Sequence, residues 1–175
     1  MNNTINTPVT ADIVIQKLQT YLFDNLGWSP IEVYGRVYKN KIDSGTVPQS
    51  YKGEGDYVPD VFFTDKGQNK GNIFFILDDK HKSINVKDMK VQTKIVFMLN
   101  LKLIFNDDSQ RQDAKAQQEA WNLIKKKNQF TLKGIETGME TVLKGFNLSE
   151  IQKADIEPLH IFAIVGDLKY TINKC

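Results

Sequence analysis

Cysteine is almost missing from this 175-residue chain: the only one is the last residue, Cys175. A single thiol excludes an internal disulfide framework and a cysteine-based zinc site. Cys175 itself reads as a frayed terminal thiol, because a catalytic cysteine needs a partnered, ordered setting. Histidine is nearly as scarce: there are two, His81 and His160, and no His-x-x-x-His pair. Neither a metal nor a cofactor is therefore expected. A surplus of one charge is also missing, since 23 basic against 21 acidic residues leave +2. That balance makes no strong field to gather nucleic acid or an anionic membrane. No window approaches the roughly 18 apolar residues of a membrane helix. Met1 to Thr10 is polar and uncharged, unlike a secretory signal.

Motifs that carry chemistry are missing as well. Lys52-Gly53-Glu54-Gly55-Asp56 looks like a phosphate cradle, yet no Gly-Lys-Ser/Thr and no helix start follow it, so it reads as a flexible loop. Ser44, Ser50, Ser83 and Ser149 lie in no Gly-x-Ser-x-Gly elbow. Asp78 and Asp79, taken with Asp88 or Asp65, lack the spacing of a calcium loop and read as solvated carboxylates. His81 reads as a solvated loop residue and His160 as a packed strand residue. No catalytic residue is assigned, and no enzyme is expected.

What is present is apolar material for a core: 41% of residues are hydrophobic and 10% aromatic. Residues 1–9 read as a flexible N-terminus and 10–175 as a single domain. Thr10 precedes a helical pattern, Ile13, Val14, Leu18, Tyr21, Leu22 and Leu26, that Gly27 stops. From Ile31 to Lys39, aliphatic Ile31, Val33, Gly35 and Val37 alternate with Glu32, Tyr34, Arg36 and Tyr38, as in a strand. Residues 40–58 are rich in turn formers and predict a long loop, a feature often tied to function. Short strands over 61–64 and 72–77 follow, then a polar loop over 78–88.

Residues 91–105 alternate throughout, with Val91, Ile95, Phe97, Leu99, Leu101, Leu103 and Phe105 on one face. As one strand they would span roughly 50 Å, beyond the usual 3 to 10 residues. The excess predicts either a bend or pairing with another chain. The other face, with Val96, Met98 and Ile104, is then a subunit-contact candidate, and Met98→Asp is expected to leave a folded monomer.

Ser109 and Gln112 have capping-box spacing for a helix carrying Ala114, Gln117, Trp121 and Ile124. Lys125, Lys126 and Lys127 close it where cations complement the dipole, and they are the candidate DNA-facing residues. Leu132, Ile135, Met139, Val142, Leu143 and Phe146 predict a second helix. A strand over 159–165 continues toward solvent as far as Ile172. This order implies an α+β fold: a mainly antiparallel sheet, an N-terminal helix and two further helices packed on one face.

Taken together, the helix TADIVIQKLQTYLFDNLGW, the strand IEVYGRVYKN running into a polar loop, the strand KIVFMLNLKLIF and the closing HIFAIVGDLKYTI form a recognisable layout. It resembles the tail-completion or tail-terminator proteins, and the head-to-tail joining proteins, of tailed bacteriophages. The resemblance implies a structural virion protein, assembled in the host cytoplasm into a ring of six or twelve copies. Such a ring would contact portal, connector or tail-tube proteins, and DNA would pass through its lumen without specific binding. No membrane is implied. With the even face of the long strand, the ring-and-cation residues Tyr34, Tyr38, Tyr51, Lys52 and Tyr57 complete the interface candidates. The alternative is a non-catalytic module that recognises a peptide or nucleic acid through the 40–58 loop and a sheet edge.

Overall fold

The computed structural model describes residues 1–43, 45–59, 61–63, 69–106, 111–149, 151 and 156–172. In chain order the elements are β1 (Asn2–Asn3), α1 (Ala11–Asn25), β2 (Glu32–Ile42), β3 (Gly45–Gly53), β4 (Asp56–Val58) and β5 (Gly71–Ser83). They continue with β6 (Asp88–Asn100), α2 (Leu101–Ile104), α3 (Gln112–Ile124), β7 (Phe130–Thr137), α4 (Met139–Val142) and β8 (Leu159–Thr171). The sheet runs β4-β3-β2-β5-β6-β8-β7, with β1 beside β2. All pairs are antiparallel except β1–β2 and β2–β5. The fold is α+β with an N-terminal helix, as the order of patterns in the sequence predicts.

Strand β6 organises both sides of the sheet. Its odd residues Val91, Ile95, Phe97 and Leu99 join a cluster with Ile15, Leu18 and Leu22 of α1 and Ala116, Ala120 and Ile124 of α3. Its even residues Val96 and Met98 join a second cluster with Phe74, Ile161 and Ala163. That cluster is closed by Val61, Phe62 and Phe63 and by Val142, Leu143 and Phe146. Burial of apolar area on both faces, at about 25 cal/mol per Å², is the main force holding the three layers together.

This arrangement overturns the expectation that the long strand is completed by another chain. β6 pairs with β5 from Met89 to Leu99 and with β8 from Asp88 to Asn100, so both edges are occupied inside the protomer. Val96 and Met98 are 0% and 1% exposed. The chain leaves the strand at Asn100, whose side chain accepts from Leu103 N–H and caps α2. Ile104 therefore lies in a helical turn against the first cluster.

Other segments also differ from their sequence patterns: residues 61–63 form no strand, and the 78–88 stretch is the end of β5, a turn over 84–87 and the start of β6. Residues 1–9 are not a free tail: Val33 N–H donates to Met1 O, the Met1 amine to Ile31 O, and the Ile5 N–H to Gln16 Oε1. The 40–58 stretch is two strands, because its glycines sit in turns, where Gly45, Gly53 and Gly55 take positive φ. The 132–146 pattern is strand β7 followed by the single turn α4. Thr131, Ile135 and Thr137 favour a strand, and burial alternates along it. β2 also changes face: Val33 enters the first cluster and Val37 the second, across an irregularity between Val33 and Arg36. The capping residue proposed at Ser109 lies outside the described residues.

Candidate protein interface

β2 and β5 stay paired only from Glu32↔Asn72 to Arg36↔Phe75. They then part. β2 continues with β3 as far as Ile42↔Gly45, and β3 with β4, as a three-stranded arm of the sheet. β5 continues with β6 as a hairpin to Ser83↔Met89. Between the parting strands lies a cleft of about 380 Å³. Arg36, Tyr38 and Asn40 line one wall; Ile76, Asp78 and His81 line the other.

The β2–β3–β4 arm gathers three of the predicted interface residues. Tyr51 and Tyr57 are directly opposed across β3 and β4. Tyr38 opposes Gln49, so Tyr51 is its diagonal neighbour, within reach for aromatic side chains. The ring centroids are 5.3 Å apart for Tyr51–Tyr57 and 5.9 Å for Tyr38–Tyr57, the latter edge-to-face. All three rings are half-buried. The Arg36 guanidinium lies 4.7 Å from the Tyr38 centroid and donates to Asp12 Oδ2 at 3.1 Å. Burial pushes the Asp12 carboxyl up, with Arg36 opposing; burial also raises the Tyr38 hydroxyl. Lys52, also predicted, is exposed and 3.9 Å from Asp56.

The other predicted residues are elsewhere. Tyr34 is 7% exposed within the second core and is not available to a partner. Val96 and Met98 are internal, and Ile104 is half-buried against the first cluster, as above. Lys125 and Lys126 are exposed at the end of α3, whereas Lys127 Nζ lies 3.2 Å from the Tyr21 ring centroid and covers it. His81 is on β5 rather than in a loop, with Nδ1 2.6 Å from Tyr170 Oη. His160 packs on Phe162 as expected, centroids 5.5 Å apart. Asp78 and Asp79 are exposed, and no group of three or more metal-ligating side chains occurs among the described residues.

Sequence reasoning missed the β5–β6 turn. Residues 84–87 lie within the 78–88 stretch that reads as a polar loop, yet Val86 is 94% and Ile84 47% exposed. The turn is tightly bonded: Ile84 N–H donates to Asp88 O at 2.8 Å, and Lys87 and Asp88 N–H both donate to Asn85 Oδ1 at 2.8 Å. The alternation of Ile84 and Val86 around an inward-turned Asn85 was the available signal. Comparison of the chain with protein families, with curated proteins and with solved structures returned no match.

Proposed function

We propose that this protein is a structural component that assembles with copies of itself and with neighbouring proteins, as the ring proteins at the head–tail junction or tail end of tailed phages do. One observation carries the reading: Tyr38, Tyr51 and Tyr57 form a half-buried aromatic cluster beside Arg36 at the β2–β3–β4 end of the sheet. Aromatic residues and arginine are the side chains enriched at protein interfaces, because they bring large contact area with few rotamers to immobilise. The cluster is already packed before a partner arrives, which lowers the ordering cost of association.

The test is the size of the purified protein and of a Tyr51→Ala/Tyr57→Ala variant. A closed oligomer for the native chain, and a monomer of unchanged secondary structure for the variant, are expected. A native chain that stays monomeric at every concentration, and in the presence of phage portal or tail-tube protein, would overturn the proposal.

A second reading, a peptide-binding module, is favoured by the cleft between β2 and β5. Two parting strands leave facing backbone edges, and an extended peptide can bond to such edges. Saturable binding of short peptides by a monomer would support that reading over assembly.

A further inference from the structure

β2 changes partner along one of its edges. β5 lies on one side of it and β3 on the other. At Val33, where β5 already holds the first side, β1 takes the second, through Asn2↔Val33 and Asn3↔Tyr34. β3 takes over that second side only from Val37↔Ser50 onward. Gly35 and Arg36 fall between the two partners, so this edge of the strand is interrupted there. α1 packs over the interruption: Gln19, 1% exposed, donates from Nε2 to Val33 O at 3.0 Å, and Asp12 Oδ2 accepts from Arg36 Nη2 at 3.1 Å.

A cavity of about 20 Å³ sits at the break, with Asn3, Asp12, Gln19, Gly35, Arg36 and Ser50 among its lining. A water needs roughly 10–15 Å³ of such space and two to four polar partners. The cavity therefore has room for one.

Two of the lining residues bring donors that lack acceptors. Arg36 Nε and Asn3 Nδ2 are both shielded from solvent and have no hydrogen-bond partner among the described residues. Arg36 is fixed at Nη2, which donates to Asp12 Oδ2 and to Tyr38 Oη, so Nε cannot turn to another partner without breaking both bonds. Buried N–H groups are nearly always bonded, because a bare one carries the full penalty of its lost hydration.

Acceptors face the same space. Gln19 gives its Nε2 to Val33, which leaves Oε1 to accept; that oxygen would lie 3.4 Å from a Cβ at Gly35. Ser50, 2% exposed, adds a hydroxyl that can accept or donate. The lining thus calls for a ligand that accepts from two groups and donates to others. A halide only accepts, and it would sit beside the Asp12 carboxylate. A cation would meet the Arg36 guanidinium and two N–H donors. Water both accepts and donates, and it carries no charge.

We propose that this cavity is the site of one structural water, which accepts from Arg36 Nε–H and Asn3 Nδ2–H and donates to the Gln19 and Ser50 oxygens. It completes the interrupted edge of β2 and ties β1 to β3, the strand that carries Tyr51. A bridging water of this kind is enthalpically close to a direct hydrogen bond. The site belongs to the single protomer, whatever its state of assembly.

The experiment is nuclear magnetic resonance of the native chain, reading magnetisation transfer from water to the Arg36 Nε–H and Asn3 Nδ2–H protons, beside diffraction from a crystal soaked in sodium bromide. Transfer with the sign of a long-lived bound water is expected at both side chains. The crystal should show one peak within hydrogen-bond distance of both nitrogens and no anomalous bromine signal there. Asn3→Leu removes one donor and puts methyl groups in the cavity, so the Arg36 transfer should be lost. The two native measurements decide the matter whether or not that variant folds. Absence of transfer at either side chain overturns the site. A bromine peak in the cavity would make it an anion site, and transfer to Arg36 that survives in Asn3→Leu would place the water in open solvent; both overturn it as well.

Discussion

The ring of Phe130 occupies the space that a side chain at Gly166 would need: a Cβ there would lie 2.3 Å from Phe130 Cε1 and 2.6 Å from Thr131 O. The glycine in β8 and the aromatic at the start of β7 are thus one packing unit that joins the edge strand to the first core. Gly166→Ala is expected to destabilise the protein by about 1–3 kcal/mol through overpacking. Phe130→Ala should cost about 3–5 kcal/mol through the cavity it leaves. Urea denaturation should find the double variant less destabilised than the two single effects added together. Rescue should be incomplete, because the Thr131 carbonyl remains in place. Strict additivity would show that the two residues do not share the space.

Met98→Asp separates core from interface. Met98 is 1% exposed, between Asn72 and Ile161 on the neighbouring strands and within the second cluster. An unpaired carboxylate there should cost more than about 4 kcal/mol and unfold the protomer. Val86→Asp, on the exposed turn, should change stability by less than about 0.5 kcal/mol. Thermal melts of the two variants check the contrast; a well-folded Met98→Asp protein would return that face of β6 to the list of contact surfaces.

The helix α1 was legible because it buries Ile15, Leu18 and Leu22 at helical spacing, and β2, β6 and β8 because β-branched, aromatic and aliphatic residues recur along each of them. The second core was not legible. It is closed by Val61–Phe63, which lie in no strand, and by α4, a single turn, so neither segment is long enough to show a period. That missing cover is why Val96 and Met98 looked like contact residues: an apolar second face predicts a partner, but not whether the partner lies in the same chain. β7 was misread because Leu132, Ile135, Met139 and Val142 fit a helical spacing, while the bulge after Leu132 breaks the strand alternation. Of the candidate interface, Tyr51 and Tyr57 could be seen as a ring pair. Their contact with Tyr38 depended on two strands hidden among glycines and polar residues.

Acid should loosen the β5–β6 turn before it unfolds the sheet. The Asp88 carboxylate accepts from Asn85 and Thr171, and these bonds hold its pKa below the ordinary carboxylate range. Unfolded, the group takes up its proton near the usual value of about 3.9. Its contribution is therefore present above that value and is lost as pH falls through the lowered one. The amide nitrogens of Ile84 and Asn85, both bonded to Asp88 O, should titrate together with a midpoint below about 3.9, and Asp88→Ala should abolish the transition. A midpoint above that value would mean that the carboxylate does not organise the turn.

Asn72 tests how the strandless cover of the second core is held. Its side chain is 5% exposed, donates from Nδ2 to Val61 O at 2.9 Å and accepts from Asn69 Nδ2 at 2.8 Å. Val61 N–H in turn donates to Pro48 O at 3.2 Å, so one amide links β5, the cover and β3. Asn72→Ala leaves the Val61 carbonyl without its donor and should cost about 1–3 kcal/mol. Asn72→Asp should cost more, since it buries a charge and sets an acceptor against an acceptor. Urea denaturation gives the order, and hydrogen exchange at Phe62 and Phe63 shows whether the cover opens before the sheet. Equal stability of Asn72→Ala and the native chain would mean that the aromatic packing of Phe62 against Phe146, centroids 6.1 Å apart, holds the segment without the amide.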